Sequence, residues 1–441
     1  FDTGPLSKIK DISTGTKFLG YESVVSDGKV IAIIQGENLL DAAAAGSEVT
    51  VILDQTPFYG ESGGQLGDNG VLESNGCTVQ ITDTKRNNEF VLHSGKVVKG
   101  KLEKNSTVHA KVNTQRRNAI RRNHTATHIL HYALCRVIGQ HAEQAGSLVA
   151  SDRMRFDFQH FSGLTREELT QIEDIVNEKI LENAPLSVKE MTIQEAKKAG
   201  AKALFGEKYG ERVRMVSVGD FSKELCGGTH VSNSGEIGLF KIIAESSCAA
   251  GIRRIEAMTG LSALNRIREK EDIIQEMCGI LNINEEKLAA RTQSLIDDMK
   301  NLQKDFQKTK QKEIIGKVDA IIESAKEVSG VKIITKNMGD ASIDDLRKTV
   351  DVLMKSAEGM AIILGAANEG KVTLIAALSP KLVKSGLHAG NISKETAKIV
   401  GGGGGGRPDM AQAGGQWPDK LDEALKFGAE LLSKKIQECV R

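Results

Sequence analysis

Two histidines one helical turn apart and, about a hundred residues later, a cysteine and a histidine at the same spacing could together hold a metal ion. The first pair lies in Arg121-Arg122-Asn123-His124-Thr125-Ala126-Thr127-His128, the second in Leu225-Cys226-Gly227-Gly228-Thr229-His230. On a helix, His124 and His128 face the same way. Three imidazoles and a thiolate make a four-ligand nitrogen and sulfur set that suits zinc. A lone His-x3-His is better explained by a helix that happens to carry two histidines. The added Cys-x3-His, in a chain with nine histidines among 441 residues, tips the reading toward metal. His131, one turn beyond His128, is a rival ligand whose place is also explained by a partly buried helix face. No Glu stands inside the His-x3-His to serve as a base, as it does in zinc proteases, which argues against peptide hydrolysis.

The elements that must position these residues can be read around them. Thr114 to Ile138 has few helix breakers, and Ile120, Ile129, Leu130, Leu134, Val137 and Ile138 recur roughly at helical spacing. The Cys226 segment sits beside two glycines, so a turn or a frayed helix start is expected there. Met215 to Val218 and Ile237 to Glu245 read as strands flanking it. Leu164 to Glu182 reads as an amphipathic helix, with Thr165 as N-cap and Glu168 completing a capping box. Arg116, Arg117, Arg121 and Arg122 crowd the turns before His124; phosphate contact and a solvated helix face both account for them. Arg253-Arg254, after Gly251, carries the same two readings.

Farther out, residues 1–112 read as short strands rich in Val, Ile and Thr: Lys29 to Gln35, Val49 to Asp54, Cys77 to Asp83, Phe90 to Val98 and Thr107 to Val112. That pattern predicts a small barrel or sandwich. The connection from Thr56 to Asp68 holds four glycines, which would let backbone approach a ligand or another domain closely; an ordinary hairpin loop is the alternative. From Leu264 to Val328 the chain is strongly charged, and Leu288, Leu295, Met299, Leu302 and Phe306 follow a coiled-coil or helical-hairpin spacing. After Val331 an α/β composition returns, with buried strands expected at Ala361 to Leu364 and Val372 to Ala377. Gly401 to Gly406 then lead into Arg407-Pro408. A nucleotide-binding phosphate loop needs Lys and then Ser or Thr there, so ATP binding is rejected. Between Lys371 and Arg407 six Lys/Arg stand against the single acid Glu395, a local balance of +5. Exposed backbone amides with cations suit a polyphosphate such as RNA; a flexible linker is the alternative.

Composition sets broad limits. Hydrophobic residues at 40% suffice for real cores, and the formal charge of +1 leaves any nucleic-acid site to local patches. Six dispersed cysteines without a Cys-x-x-Cys pair argue against a disulfide framework and for a reducing, cytoplasmic setting. No apolar run is long enough for a membrane span. The abrupt opening Phe1-Asp2-Thr3-Gly4-Pro5 is read as part of something longer.

In register and in order, five blocks resemble the C-terminal half of alanyl-tRNA synthetase: Phe58 to Gln65, His124 to His128, Cys226 to His230, Gly251 to Glu256, and Gly401 to Gly415. The resemblance covers essentially the whole chain. It implies a multidomain α+β protein: a β-barrel (1–112), a zinc-containing α/β editing domain (113–262) shared with threonyl-tRNA synthetase, a helical or coiled-coil connector (263–330), and an α/β C-terminal domain (331–441) similar to that of the DHH phosphoesterases. It also implies hydrolysis of tRNA(Ala) mischarged with serine or glycine. Zinc on His124, His128, Cys226 and His230 would serve it, with Gln65, Cys226 and Thr229 catalytic and Thr127 a hydrogen-bonding neighbour. Arg121, Arg122, Arg254, Lys398, Gly403, Gly404 and Arg407 would contact tRNA, and the connector or the C-terminal domain would pair two copies. The aminoacylation domain would lie before Phe1, so this chain is not expected to charge tRNA. A non-catalytic tRNA-binding and dimerising module with a structural zinc is the alternative.

Overall fold

The computed structural model describes residues 15–202 and 210–439; Phe1 to Pro5 lie outside them. The chain divides into two compact units, Phe1–Ile280 and Leu281–Arg441, described separately below.

In the first unit, β-branched residues favour strands because they pack well on a pleated surface. Val25–Gln35, Glu48–Leu53, Gly70–Ser74, Cys77–Asn87, Phe90–Lys99 and Thr107–Val112 pair antiparallel. Thr107–Val112 pairs with both Gly70–Ser74 and Val25–Gln35, which closes the sheet into a six-stranded barrel. Val49, Val51 and Leu53 fill its interior together with Val79, Ile81 and Val97, as the two-residue period of a strand requires.

Among these apolar side chains sits His93, fully buried, with Nε2 2.7 Å from Thr56 Oγ1 and Nδ1 2.9 Å from the Val51 carbonyl. Burial pushes its pKa from 6.5 down to about 4, so the ring is neutral in the folded barrel. The unfolded chain binds the extra proton first as pH falls. Stability is therefore complete above pH 6.5 and is lost as pH drops toward 4, by up to about 3 kcal/mol. We expect urea midpoints of the wild type to fall between pH 7.5 and pH 5, and His93→Gln to flatten that dependence.

Beyond the barrel, the helix Thr114–Val137 starts at Asn113, whose side chain accepts from the Arg116 amide. Ile129, Leu130, Ala133 and Leu134 face a core shared with Met154, Phe156, Phe158 and Ile255. The last four belong to an antiparallel sheet ordered Gln144–Val149, Met154–Gln159, Ile252–Thr259, Phe240–Ala249. The helix Arg166–Leu181 covers the same core through Ile172, Val176 and Ile180, and carries the Thr165–Glu168 capping box read from sequence. A second sheet runs Leu186–Thr192, Arg212–Val218, Ser222–Leu225, and the chain leaves its last strand directly into Cys226.

Barrel and helix are tied together at Arg117, the largest fully buried side chain among the described residues. Its guanidinium forks onto the Asp68 carboxylate and donates to the carbonyls of Gly20 (2.9 Å) and Pro57 (2.7 Å). The glycine-rich loop approaches a neighbouring sheet: Leu66 N donates to Val149 O (3.1 Å) and Val149 N to Gly64 O (2.7 Å). That docking buries Gln65 completely.

The charged segment holds two helices, Gly260–Leu281 and Leu288–Glu323. On the second, Leu295, Met299, Leu302 and Phe306 are exposed. The second unit contains a six-stranded sheet ordered Lys326–Val328, Val331–Asn337, Met360–Asn368, Lys371–Leu378, Met410–Gly415, Gly403–Gly406. Helices Ile343–Ser356, Ala389–Ile399 and Leu421–Cys439 pack on it. The glycine run therefore forms an edge strand, where a Cβ on Gly404 would collide with Ala413. No helix among the described residues is long and apolar enough to cross a membrane.

Candidate metal centre

His124 and His128 project from one face of Thr114–Val137, their rings stacked 5.4 Å apart. The loop after Ser222–Leu225 brings Cys226 and His230 against them. One donor atom from each of the four lies within 4.8 Å of the others. The loop can approach this closely because Gly228 has no side chain: a Cβ there would collide with the His124 ring.

Hydrogen bonds fix how each imidazole presents itself. Gln65 Oε1 already accepts from the Thr229 amide (2.9 Å), so His124 Nδ1, 2.8 Å away, is the donor. Thr125 gives its hydroxyl hydrogen to the Arg121 carbonyl (2.9 Å), so it accepts from His230 Nδ1 at 3.2 Å. His128 Nδ1 lies 2.5 Å from Glu224 Oε2. All three rings therefore carry the proton on Nδ1 and turn Nε2 toward one point, the arrangement that outer groups impose on metal-bound histidines. Nε2 of His128 is buried without a hydrogen-bond partner.

This donor set fits zinc. Bonds of about 2.3 Å to sulfur and 2.0–2.1 Å to nitrogen put the sulfur–nitrogen edge of a tetrahedron at roughly 3.5 Å. Cys226 Sγ stands 3.3 Å from Nε2 of both His124 and His230. Burial disfavours the Cys226 thiolate, but His124 and the other histidines around it, His128 among them, outweigh it and hold the thiol well below its ordinary pKa. Burial pushes His230 down to about 3, leaving it neutral. At His128 burial is outweighed by Glu224, which raises the pKa to about 10, so a metal must displace a proton there.

Above the donors opens a cleft of about 390 Å³, lined by Tyr59, Gln144, Thr127 and the arginines Arg86, Arg212 and Arg214 among others. Tyr21 reaches over from the barrel side: its hydroxyl donates to the Gly227 carbonyl (2.6 Å), and the Arg214 guanidinium lies 4.1 Å from the centre of its ring.

Residues 4–116 match the family described as tRNA synthetases class II (A), and residues 213–256 match the threonyl and alanyl tRNA synthetase second additional domain. Residues 330–434 match the DHHA1 domain. An alanine–tRNA ligase from Acetivibrio thermocellus is 45% identical over 427 residues, 97% of this chain and 48% of the relative. One from Bacillus velezensis is 46% identical over 432 residues, 97% of this chain and 49% of the relative. The chain is similar to the C-terminal half of the alanyl-tRNA synthetases. It spans about half the length of the curated relatives it matches. The crystal structure of the C-Ala domain from Aquifex aeolicus alanyl-tRNA synthetase aligns with 25% of this chain and 98% of that one, at 27% identity and a TM-score of 0.24.

The structure places the residues singled out from sequence in different ways. His124, His128, Cys226 and His230 come together. His131 stands outside the quartet, on Glu224 Oε1 at 2.8 Å. Gln65 and Thr229 are buried behind the ligands: Gln65 Nε2 donates to Thr229 Oγ1 (2.9 Å), and its oxygen is taken by His124 and the Thr229 amide. The expectation that Gln65 meets substrate or water gives way to one in which it orients His124. Thr127 donates back to the Asn123 carbonyl (2.9 Å).

The arginines differ among themselves. Arg121 and Arg122 are half-buried, and Arg254 forks onto Asp157 at 2.7 and 2.8 Å. In the C-terminal domain Lys398 pairs with Glu395 and Arg407 with Asp409, both at the surface, beside exposed Gly403 and Gly404.

Sequence reading missed Glu224, although alternation on a strand puts it on the same side as Cys226, two residues on. Its two oxygens hold two histidines, and Gln has only one oxygen to replace them. We expect Glu224→Gln to weaken zinc affinity roughly 10- to 100-fold in titrations against a chelating dye.

Proposed function

We propose that the chain is the editing part of an alanyl-tRNA synthetase, hydrolysing serine and glycine esters wrongly attached to tRNA(Ala), with zinc on His124, His128, Cys226 and His230. The convergence of three Nδ1-tethered imidazoles and one thiolate at the floor of an arginine-lined cleft carries this reading. A pocket for alanine cannot exclude glycine by size, and it rejects the added hydroxyl of serine only about a hundredfold in comparable cases. A second site must remove the mistakes. Bound zinc supplies a Lewis acid and lowers the pKa of a bound water. The chain's own residues orient that centre. Gln65, Thr125 and Glu224 fix the three rings, and the Gly227-Gly228 turn brings Cys226 to them. An aminoacyl ester is already reactive, so positioning accounts for much of the rate.

A closed set of four protein donors is also what a structural zinc has, which favours a second reading: a tRNA-binding module without turnover. The two separate in one assay. The zinc-loaded chain should release serine from Ser-tRNA(Ala) well above the buffer blank; release at the blank rate would leave only the binding module.

The C-terminal domain would grip the tRNA body at the exposed glycine edge strand and Arg407. Arg407→Ala should weaken tRNA affinity several-fold and lower the slope of log affinity against log salt by about 1. An unchanged slope would take Arg407 off the contact surface.

A further inference from the structure

Two arginines at the cleft lack the carboxylate partners that several others of the editing domain have. Arg253 and Arg254 are paired with Glu245 and Asp157, and Arg117 is locked on Asp68. Arg86 and Arg212, exposed at the cleft, have no carboxylate within ion-pair distance among the described residues. Their contacts are to carbonyls: Arg86 Nε donates to Asn88 O (3.1 Å) and Arg212 Nη2 to Glu190 O (3.5 Å). They rise from different elements, Arg86 from the barrel strand Cys77–Asn87 and Arg212 from Arg212–Val218. No Asp or Glu is among the described residues that line the cleft. Arg214 is already committed: it donates to the Cys226 and Gly228 carbonyls at 3.0 Å each and stacks on Tyr21.

Such a lining has a preference. Unpaired guanidiniums repel the free ammonium of an aminoacyl group and attract phosphate, which they bind in a forked geometry. An aminoacylated nucleotide carries both charges at opposite ends. The arginines draw the phosphates to the rim, which leaves the ester end toward the His/Cys floor.

We propose that Arg86 and Arg212 form a phosphate-binding rim that grips the phosphodiesters preceding the 3′-terminal nucleoside, and so set which end of the ester meets the floor. The identity of the nucleic acid rests on the editing function proposed above; the phosphate contact itself does not. Such a rim favours esters carried on an oligonucleotide over free amino-acid esters, and the two arginines select substrate without taking part in bond breaking.

The test uses the full zinc-loaded chain and the trinucleotide CCA, which has two phosphodiesters and no ester to hydrolyse. Arg86→Ala and Arg212→Ala should each weaken CCA binding about tenfold and reduce its salt slope by about 0.7, the single-strand value per phosphate contact. Arg291→Ala, which removes a cation from the helix Leu288–Glu323, should change neither. With Ser-tRNA(Ala), both cleft variants should raise KM and leave kcat in place. Wild-type affinity and slope in the two variants would overturn the proposal, as would a wild type that does not bind CCA. Arginine-dependent CCA binding without any deacylation would sink the editing function and leave the rim standing.

Discussion

Cys226→Ala should reduce deacylation of Ser-tRNA(Ala) to the buffer blank and weaken zinc binding roughly a hundred- to a thousandfold. The second figure follows from sharing the roughly 10–16 kcal/mol that holds a four-ligand zinc among its ligands. Cys226 is the sole sulfur in the set, and its thiolate is held by His124 and the other surrounding histidines against the cost of burial. Its removal leaves three neutral imidazoles to bind a doubly charged ion. The backbone should survive, because residues 226–231 form an irregular loop outside the strands and helices. Circular dichroism should thus match the wild type while both metal and activity are lost. Full activity in Cys226→Ala would show that the thiolate is not a working ligand.

Arg117→Ala should cost about 3–5 kcal/mol of stability, the loss expected when one partner of a buried ion pair is removed. Both side chains are essentially inaccessible, so Asp68 would be stranded with its charge. The carbonyls of Gly20 and Pro57 would lose donors as well. The effect should reach the metal site, because Arg117 lies on the same helix as His124, two turns earlier, and holds it against the loop that carries Gln65. Zinc affinity should therefore fall together with the melting temperature. In the double variant with Asp68→Ala, part of the stability should return, since the stranded charge is gone. Arg117→Ala with a loss below about 1 kcal/mol, the range of an exposed pair, would contradict this role.

Much of this site was legible because its strongest signal is local. Two ligands at i and i+4 on a helix, and two more around a Gly-Gly turn, announce themselves by spacing. The Thr165–Glu168 box and the Val- and Ile-rich strands depend on neighbours in sequence too. What escaped depends on distant partners. Gly70–Ser74 closes the barrel but offers only Val71 and Leu72 as apolar signal, and its pairing with Thr107–Val112 cannot be read locally. Arg117, seen as one of four clustered cations, belongs to the interior because Asp68 lies 49 residues before it. Glu224 looks like an ordinary surface acid until His128 and His131 are placed on its two oxygens. The glycine run becomes a strand because Met410–Gly415 supplies the ladder, at an edge where a side chain on Gly404 would not fit. Conversely, the heptad-like seam from Leu295 to Phe306 is plain in sequence but lies exposed on its helix.

X-ray absorption at the zinc edge tests the centre of this account most directly. Zinc-loaded protein should show one sulfur at about 2.3 Å and three nitrogens at 2.0–2.1 Å, and the sulfur should vanish in Cys226→Ala. A shell of oxygens, or a sulfur signal that persists in Cys226→Ala, would contradict the joining of the two segments around one ion.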